Sequence, residues 1–310
     1  MGRHLVIAAA QMGPIARTES RSAVVRRMID LMRHAKALGA EVVAYPEAAL
    51  TAFFPHWFTE DEDEVDAWFE RDMPGPQSQA LFDEARRLGV GFHLGYCELD
   101  MSSGRKRRFN TSILVDASGR IIGKYRKIHL PGHSDHRRET PFQNLEKRYF
   151  EVGDLGFGAW QAWGGVAGMI ICNDRRWPES YRVLGLQGVD MIFCGYNTPV
   201  HHPAAPDHDR LGQFHNELSM QSGAYQNSAW VIGIAKAGME EGVDMIAGSC
   251  IITPTGEIAA RCSSADDEVI VSRCDLDLGR SYRDTTFNFA RHRRPEHYRL
   301  IVERTGPTPP

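Results

Sequence analysis

Val166-Ala167-Gly168-Met169-Ile170-Ile171-Cys172-Asn173-Asp174-Arg175-Arg176-Trp177-Pro178-Glu179 is the stretch that decides the fold. The apolar run from Val166 to Ile171 is too short for a helix and reads as a buried parallel strand. Polar residues follow it, and Pro178 then opens a helix, so the unit is strand, turn, helix. A thiol at the carboxyl end of such a strand projects into the crevice where open α/β sheets bind ligands. Cys172 is therefore a candidate nucleophile. Two other segments end in the same way. Val42-Val43-Ala44-Tyr45-Pro46-Glu47 delivers a carboxylate after a β-type run, and Ile121-Ile122-Gly123-Lys124-Tyr125-Arg126-Lys127 delivers an ammonium after another.

Outward from these strands, helical and extended patterns alternate. His4 to Gln11 reads as a strand, and Arg21 to Leu38 as a helix with Val24, Val25, Met28, Leu31, Met32 and Ala35 at helical spacing. Gln77 to Leu88 is a second amphipathic helix closed by Gly89, and Val90 to Glu98 is a strand. Thr111 to Val115 and Arg120 to Tyr125 flank the turn Asp116-Ala117-Ser118-Gly119, which predicts a hairpin. The second half repeats the scheme, with strands at Val166–Ile171, Val189–Cys194, Val231–Ala235, Gly248–Thr253 and Val269–Cys274. Helices are expected near Pro178 to Gln187 and His208 to Gln226, and Pro254-Thr255-Gly256 is a second hairpin turn. Helices between some strands and hairpins between others imply mixed sheets with helices outside. No low-complexity linker divides residues 1–310, so one domain is expected.

Composition excludes several classes. A 42% hydrophobic and 25% charged chain of 310 residues is that of an ordinary globular protein. The net charge of −4 offers no general attraction to nucleic acid or to an anionic membrane. No run resembles a signal peptide or a membrane span, which makes a cytoplasmic location the default. The six cysteines are dispersed without a CxxC pair, against a zinc ribbon, a dithiol site or a disulfide scaffold. No residue pattern calls for a metal or a cofactor. Cys97, Cys194, Cys250, Cys262 and Cys274 read as small core residues, and only Cys172 has polar flanking chemistry.

The three strand-end residues suit one site. Glu47 is bracketed by Pro46 and Ala48-Ala49-Leu50, and a carboxyl in apolar surroundings is a usable proton shuttle. A thiol needs a nearby cation or base to react, and a lysine would supply that field. Spacing alone does not separate Lys127 from Arg120, Lys124 and Arg126.

These segments resemble the Glu, Lys and Cys motifs of the nitrilase superfamily. Arg108-Phe109-Asn110-Thr111-Ser112, Pro131-Gly132-His133, Leu145-Glu146-Lys147-Arg148-Tyr149-Phe150 and Gly195-Tyr196-Asn197-Thr198-Pro199 are further similar to N-carbamoyl-D-amino acid amidohydrolases, nearly end to end. The resemblance implies a four-layer αββα sandwich and a homodimer or homotetramer. It selects Lys127 and implies hydrolysis of an N-carbamoyl-D-amino acid to the amino acid, carbon dioxide and ammonia through a thioester on Cys172. Glu47 is the implied proton carrier, Lys127 with the Asn173 backbone N–H the implied oxyanion clamp, and Glu146 the carboxylate that positions Lys127. Asn173, Asn197, Thr198 and His129 are implied at the substrate, and His129 and His215 also as supports of the pocket. The preference for D substrates comes from the resemblance alone.

Arg175 and Arg176, three and four residues past the thiol, match a carboxylate in chemistry, and so point to an amino-acid substrate. One of the two could instead pair with Asp174 or Glu179. Asn144 stands where the resembling family usually has His at the substrate carboxylate, and an amide carries no charge there. His201, His202, His208 and His215 fit no zinc spacing and read as a loop leading into a helix. The acidic run Glu60–Asp66 and the basic run Arg105–Arg108 read as solvated surface, with a subunit contact the alternative for the basic run, and the Arg-, His- and Pro-rich tail Arg291–Pro310 as a segment that reaches a partner subunit. Two rivals remain: an amidase or ureidopropionase-like enzyme using the same three residues, and a metal-binding or interaction module in which Cys172 is core.

Overall fold

A computed structural model describes residues 2–309. Two six-stranded mixed sheets pack face to face, with helices on both outer surfaces, as the mixed-sheet sandwich reading expects. The first sheet has the order β14-β1-β2-β3-β4-β5. Its parallel centre is β1 (His4–Gln11), β2 (Val42–Ala44) and β3 (Gly91–Asp100), connected through α1 (Arg21–Ala37) and through the loop bearing α2 (Glu62–Asp66) and α3 (Gln79–Leu88). β14 (Glu268–Asp275), β4 (Arg107–Val115) and β5 (Ile121–Arg126) join it antiparallel.

The second sheet, in the order β13-β12-β9-β8-β7-β6, repeats that plan. β7 (Gly165–Ile171), β8 (Met191–Tyr196) and β9 (Trp230–Ala235) are parallel, connected by α5 (Pro178–Leu186) and α6 (Gly212–Asn227). β6 (Ala159–Ala162), β12 (Cys250–Ile252) and β13 (Ile258–Arg261) flank them antiparallel. A ribbon of β10 (Ala237–Glu240) and β11 (Val243–Ile246) stands apart, and α4 (Glu146–Tyr149) is a single turn between the sheets' halves of the chain. Short helices α7 (Arg280–Asp284), α8 (Phe289–His292) and α9 (Arg299–Glu303) follow β14.

Side-chain period explains the layers. Ile7, Ala9, Val42, Ala44, Leu114 and Tyr125 of the first sheet meet Met169, Ile171, Phe193, Ile232 and Ile234 of the second in one buried cluster. The alternate residues Ala8, Ala10 and Val43 instead pack under Val24, Met28, Leu31 and Met32 of α1. Alanines on β1 let the helix approach closely. Each large apolar side chain moved fully into such a layer contributes about 1.5–3 kcal/mol. His93 on β3 stacks on Phe193 on β8 at 5.6 Å between ring centres, bridging the sheets.

Direction then places the site. β5 lies two antiparallel steps from β3, so it runs the same way as β2, and Lys127 emerges at the same edge as Glu47. β7 and β8 are parallel, so Cys172 and Asn197 emerge together from the second sheet. All six cysteines are buried and free.

The acidic and basic runs lie largely at the surface, as read, and there they pair with each other: Arg108 with Glu62 and Asp66, and Lys106 with Asp66. They lie 40 or more residues apart in sequence but meet where β4 passes α2. Among the described residues no helix is long and apolar enough to cross a membrane.

Candidate active site

Glu47 follows β2 in a tight turn and is fully buried. Two glycines, one from each sheet, clamp its backbone. A Cβ on Gly95 of β3 would lie 2.5 Å from the Pro46 carbonyl oxygen, and one on Gly195 of β8 would lie 2.5 Å from the Glu47 nitrogen. Three donors converge on its carboxylate: Asn110 Nδ2 at 2.7 Å and Lys127 Nζ at 2.8 Å on Oε1, and the Asn197 backbone N–H at 2.7 Å on Oε2. Asn197 Nδ2 also donates to the Glu47 carbonyl at 2.6 Å.

Lys127 is equally buried and donates a second bond to Glu146 Oε2 at 2.5 Å. Burial opposes its charge, but Glu146, Glu47 and Cys172 outweigh burial and hold the ammonium well above its ordinary range. Glu146 is pushed up to about 7, because burial in this pocket, with Glu47 nearby, exceeds the pull of Lys127. Its folded-state carboxyl thus holds a proton that the unfolded chain releases near the ordinary 4.5. The stability this provides is complete below that value and is lost as pH rises through about 7. Glu146→Gln is expected to flatten that fall, read as urea-unfolding free energy between pH 5 and 8; an unchanged slope would contradict the assignment.

Cys172 starts a turn of 3-10 helix with φ of +46°, a left-handed conformation unusual outside glycine. The turn lifts its Sγ off the strand, to 3.7 Å from both the Asn197 carbonyl oxygen and Thr198 Oγ1. Burial and then Glu47 push the thiol above its ordinary value, while Lys127 and Arg175 pull it down. A thiol in that balance needs a base at the moment of attack, and the Glu47 carboxylate is the anion in its field. Thiol, carboxylate and ammonium together make a geometry suited to acyl transfer on a carbonyl carbon.

Two residues that sequence reasoning passed over hold this arrangement. Asn110 lies in the interior of β4, where Asn is disfavoured, and that misfit was the available sign. Asp174, fully buried, accepts from the Ile171 N–H, from Tyr125 Oη, and from both the backbone and the ring Nδ1 of His129. It ties the strand end before Cys172 to the segment after Lys127.

A cavity of about 480 Å³ opens over the site. Cys172, Glu146, Asn173, Arg176, Asn197, Thr198 and Asn144 all line it, together with Phe142, Arg137, His133, His201, His202, His208 and His215. Glu47 and Lys127 sit one bond behind that wall, through Asn197 and Glu146. The histidine-rich loop is thus part of the cavity wall, and among the described residues no cluster of three His, Cys, Asp or Glu side chains is arranged to hold a metal. Two substrate-binding expectations are not met. Arg175 points away from the cavity and is buried against protein, and His129 stacks between Trp177 and Phe157, held by Asp174. Arg176 does line the cavity, with Nη1 donating to Asn173 Oδ1 at 3.1 Å and, among the described residues, no carboxylate partner.

The pattern of the carbon-nitrogen hydrolase family matches residues 6–284. The chain belongs to that family. It is 32% identical to a nitrilase of Pyrococcus abyssi over 269 residues, 86% of this chain and 90% of that one. It is 28% identical to an N-carbamoylputrescine amidase of Solanum lycopersicum over 319 residues, 99% and 98% of the two chains. The structure of a carbon-nitrogen hydrolase from Helicobacter pylori superposes with a TM-score of 0.81 at 21% identity, covering 97% of this chain and 99% of that one, and shares the fold. As a carbon-nitrogen hydrolase, this chain is an enzyme.

Proposed function

We propose that this carbon-nitrogen hydrolase converts N-carbamoyl-D-amino acids to the D-amino acid, carbon dioxide and ammonia. The observation that carries the reading is Arg176, a guanidinium that among the described residues has no carboxylate partner, in the wall of the cavity that Cys172 lines. A cation so placed matches the carboxylate of an amino-acid substrate. Cys172 Sγ attacks the ureido carbon as Glu47 takes the thiol proton. Lys127 and the Asn173 N–H stabilise the oxyanion. Collapse expels ammonia, which leaves with the proton from Glu47, and the thioester on sulfur retains the amino acid through its nitrogen. Glu47 then takes a proton from water as it attacks the thioester, and the N-carboxy product loses carbon dioxide. Cys172 is returned as the thiol.

The relatives named for N-carbamoylputrescine and the 31%-identical citrullinase of Francisella tularensis support a carbamoyl group as the target. N-carbamoylputrescine ends in an ammonium rather than a carboxylate, and a like charge at Arg176 opposes its binding there. The deciding experiment is ammonia release from a panel of N-carbamoyl-D-, N-carbamoyl-L- and N-carbamoyl-β-amino acids, N-carbamoylputrescine and citrulline. Turnover of the D series first supports the proposal; turnover of N-carbamoylputrescine alone sinks it.

Asn144 lines the same cavity with its Oδ1 buried and unpartnered. Asn144→His is expected to lower KM for the favoured N-carbamoyl substrate about fivefold, the gain of one charge-assisted hydrogen bond, with kcat within twofold. An unchanged KM with an altered kcat would remove Asn144 from the carboxylate site.

A further inference from the structure

Arg175 is the anomaly of the site. It is 1% exposed, yet among the described residues no carboxylate lies within ion-pair distance of it. Its three hydrogen-bond acceptors are neutral. Nε donates to Asn216 Oδ1 at 2.7 Å, Nη1 to the Cys172 carbonyl at 2.7 Å, and Nη2 to Thr198 Oγ1 at 2.9 Å. The guanidinium also lies 4.5 Å over the Tyr196 ring. A fully buried cation without a counter-ion is costly, so the charge needs an anion that the resting protein does not display. The nearest candidate is Cys172 sulfur, one hydroxyl away.

That hydroxyl has a defined direction. Thr198 carries one donor and two acceptor positions, and the guanidinium occupies an acceptor. The proton of Thr198 is then free to turn toward Sγ, 3.7 Å distant. While Cys172 is a thiol, its S–H donates to the Asn197 carbonyl oxygen at the same distance. Once the proton leaves, the sulfur becomes an acceptor, and the Thr198 hydroxyl beside it is already polarised by a cation.

We propose that Arg175 and Thr198 form a relay that stabilises the Cys172 thiolate as it forms, with Arg175 a positioning residue that acts through Thr198 and through the Cys172 carbonyl. The relay would also pin the left-handed turn that presents the thiol. The charged groups that face the sulfur from the surrounding elements are Glu47 after β2, Lys127 after β5, Glu146 on α4, and Arg175 and Arg176 on the turn after β7. Among the described residues neither arginine has a carboxylate partner, and Arg175 is the one that bonds both Thr198 and the Cys172 carbonyl. The inference rests on Cys172 being the nucleophile and not on which carbamoyl compound is the substrate.

The test needs no substrate. Alkylation of Cys172 by iodoacetamide, located by mass spectrometry against the five other buried cysteines, is followed in short pulses from pH 7 to 12 in the full-length protein. In Thr198→Val and Arg175→Met the midpoint is expected to rise by about one unit, the loss of one charge-assisted hydrogen bond to the thiolate. Arg175→Lys keeps the charge without the three-pronged contact and is expected to fall between. For the substrate that the panel identifies, kcat at pH 7 is expected to fall about tenfold in Thr198→Val with KM within threefold. Arg176→Met is the contrast, raising KM and leaving the alkylation midpoint in place. A midpoint unmoved in Thr198→Val overturns the relay, and that variant decides the matter should Arg175→Met fail to fold.

Discussion

Cys172→Ala is expected to leave the protein folded and to lower ammonia release by at least about four orders of magnitude, the scale on which removal of a nucleophile acts. The stability side follows from the contacts. Sγ makes two long sulfur hydrogen bonds, both at 3.7 Å and both to groups that border the cavity, so its loss opens space already continuous with that cavity. The penalty should be small, about 1 kcal/mol, because no closed void is created in a packed layer. Cys194 supplies the comparison within the same chain. It is wholly buried in β8 on the face that packs under the helices, beside Gly233 and Met220, so Cys194→Ala should cost more stability and little activity. Thermal unfolding and ammonia release measured on the two variants separate a reacting thiol from a packing one. Activity retained in Cys172→Ala would return this residue to the core and remove the thioester chemistry.

The sequence exposed the strand ends because each β-type run gives way to a residue of reactive type, although basic neighbours surround Lys127. β1 falls on His4–Gln11 as read, and α1 ends one residue earlier than expected. The ribbon β10–β11 and the edge strands β6 and β13 were not legible. Each has four residues, and β6 and β13 are largely half-exposed or exposed, so neither length nor apolar alternation marks them. Cys172, Glu47 and Lys127 were legible as types at strand ends, whereas choosing Lys127 from its basic neighbours, and finding Glu146 at all, needed the resemblance. Arg175 and Arg176 were inseparable in sequence. In a 3-10 turn, successive side chains diverge by about 120°, so adjacent arginines cannot both face one cavity. Arg176 turns to the substrate side and Arg175 to the nucleophile's back. Asp174 and Asn110 escaped notice because their partners are 45 and 63 residues away, and no local pattern records such contacts.

Lys127→Met should be the most damaging single change for both stability and activity. The ammonium lies between Glu47 Oε1 at 2.8 Å and Glu146 Oε2 at 2.5 Å, with no solvent exposure to share the charge. Removing it leaves two carboxylates in one dry pocket, and an uncompensated buried charge costs about 3–5 kcal/mol. Activity should fall at least about a hundredfold to a thousandfold from the lost oxyanion donor alone. The stability loss has a sign in pH. Glu146 already holds its proton up to about 7 with Lys127 present, and Lys127 is the group that draws it down, so without the ammonium it keeps the proton to still higher pH. The variant should therefore be closest to wild type at pH 5, where Glu146 is neutral, and weakest at pH 8, where the wild type retains its ion pair. Adding Glu146→Gln removes one of the two stranded carboxylates. The double variant should regain much of the lost stability at pH 8 and none of the activity, because the fold needs charge balance while the reaction needs a cation at the oxyanion. Urea unfolding at the two pH values, with ammonia release beside it, reads both. A stability loss equal at pH 5 and pH 8 would mean that Lys127 is held by packing of its stem, and the charge account of the site would fail.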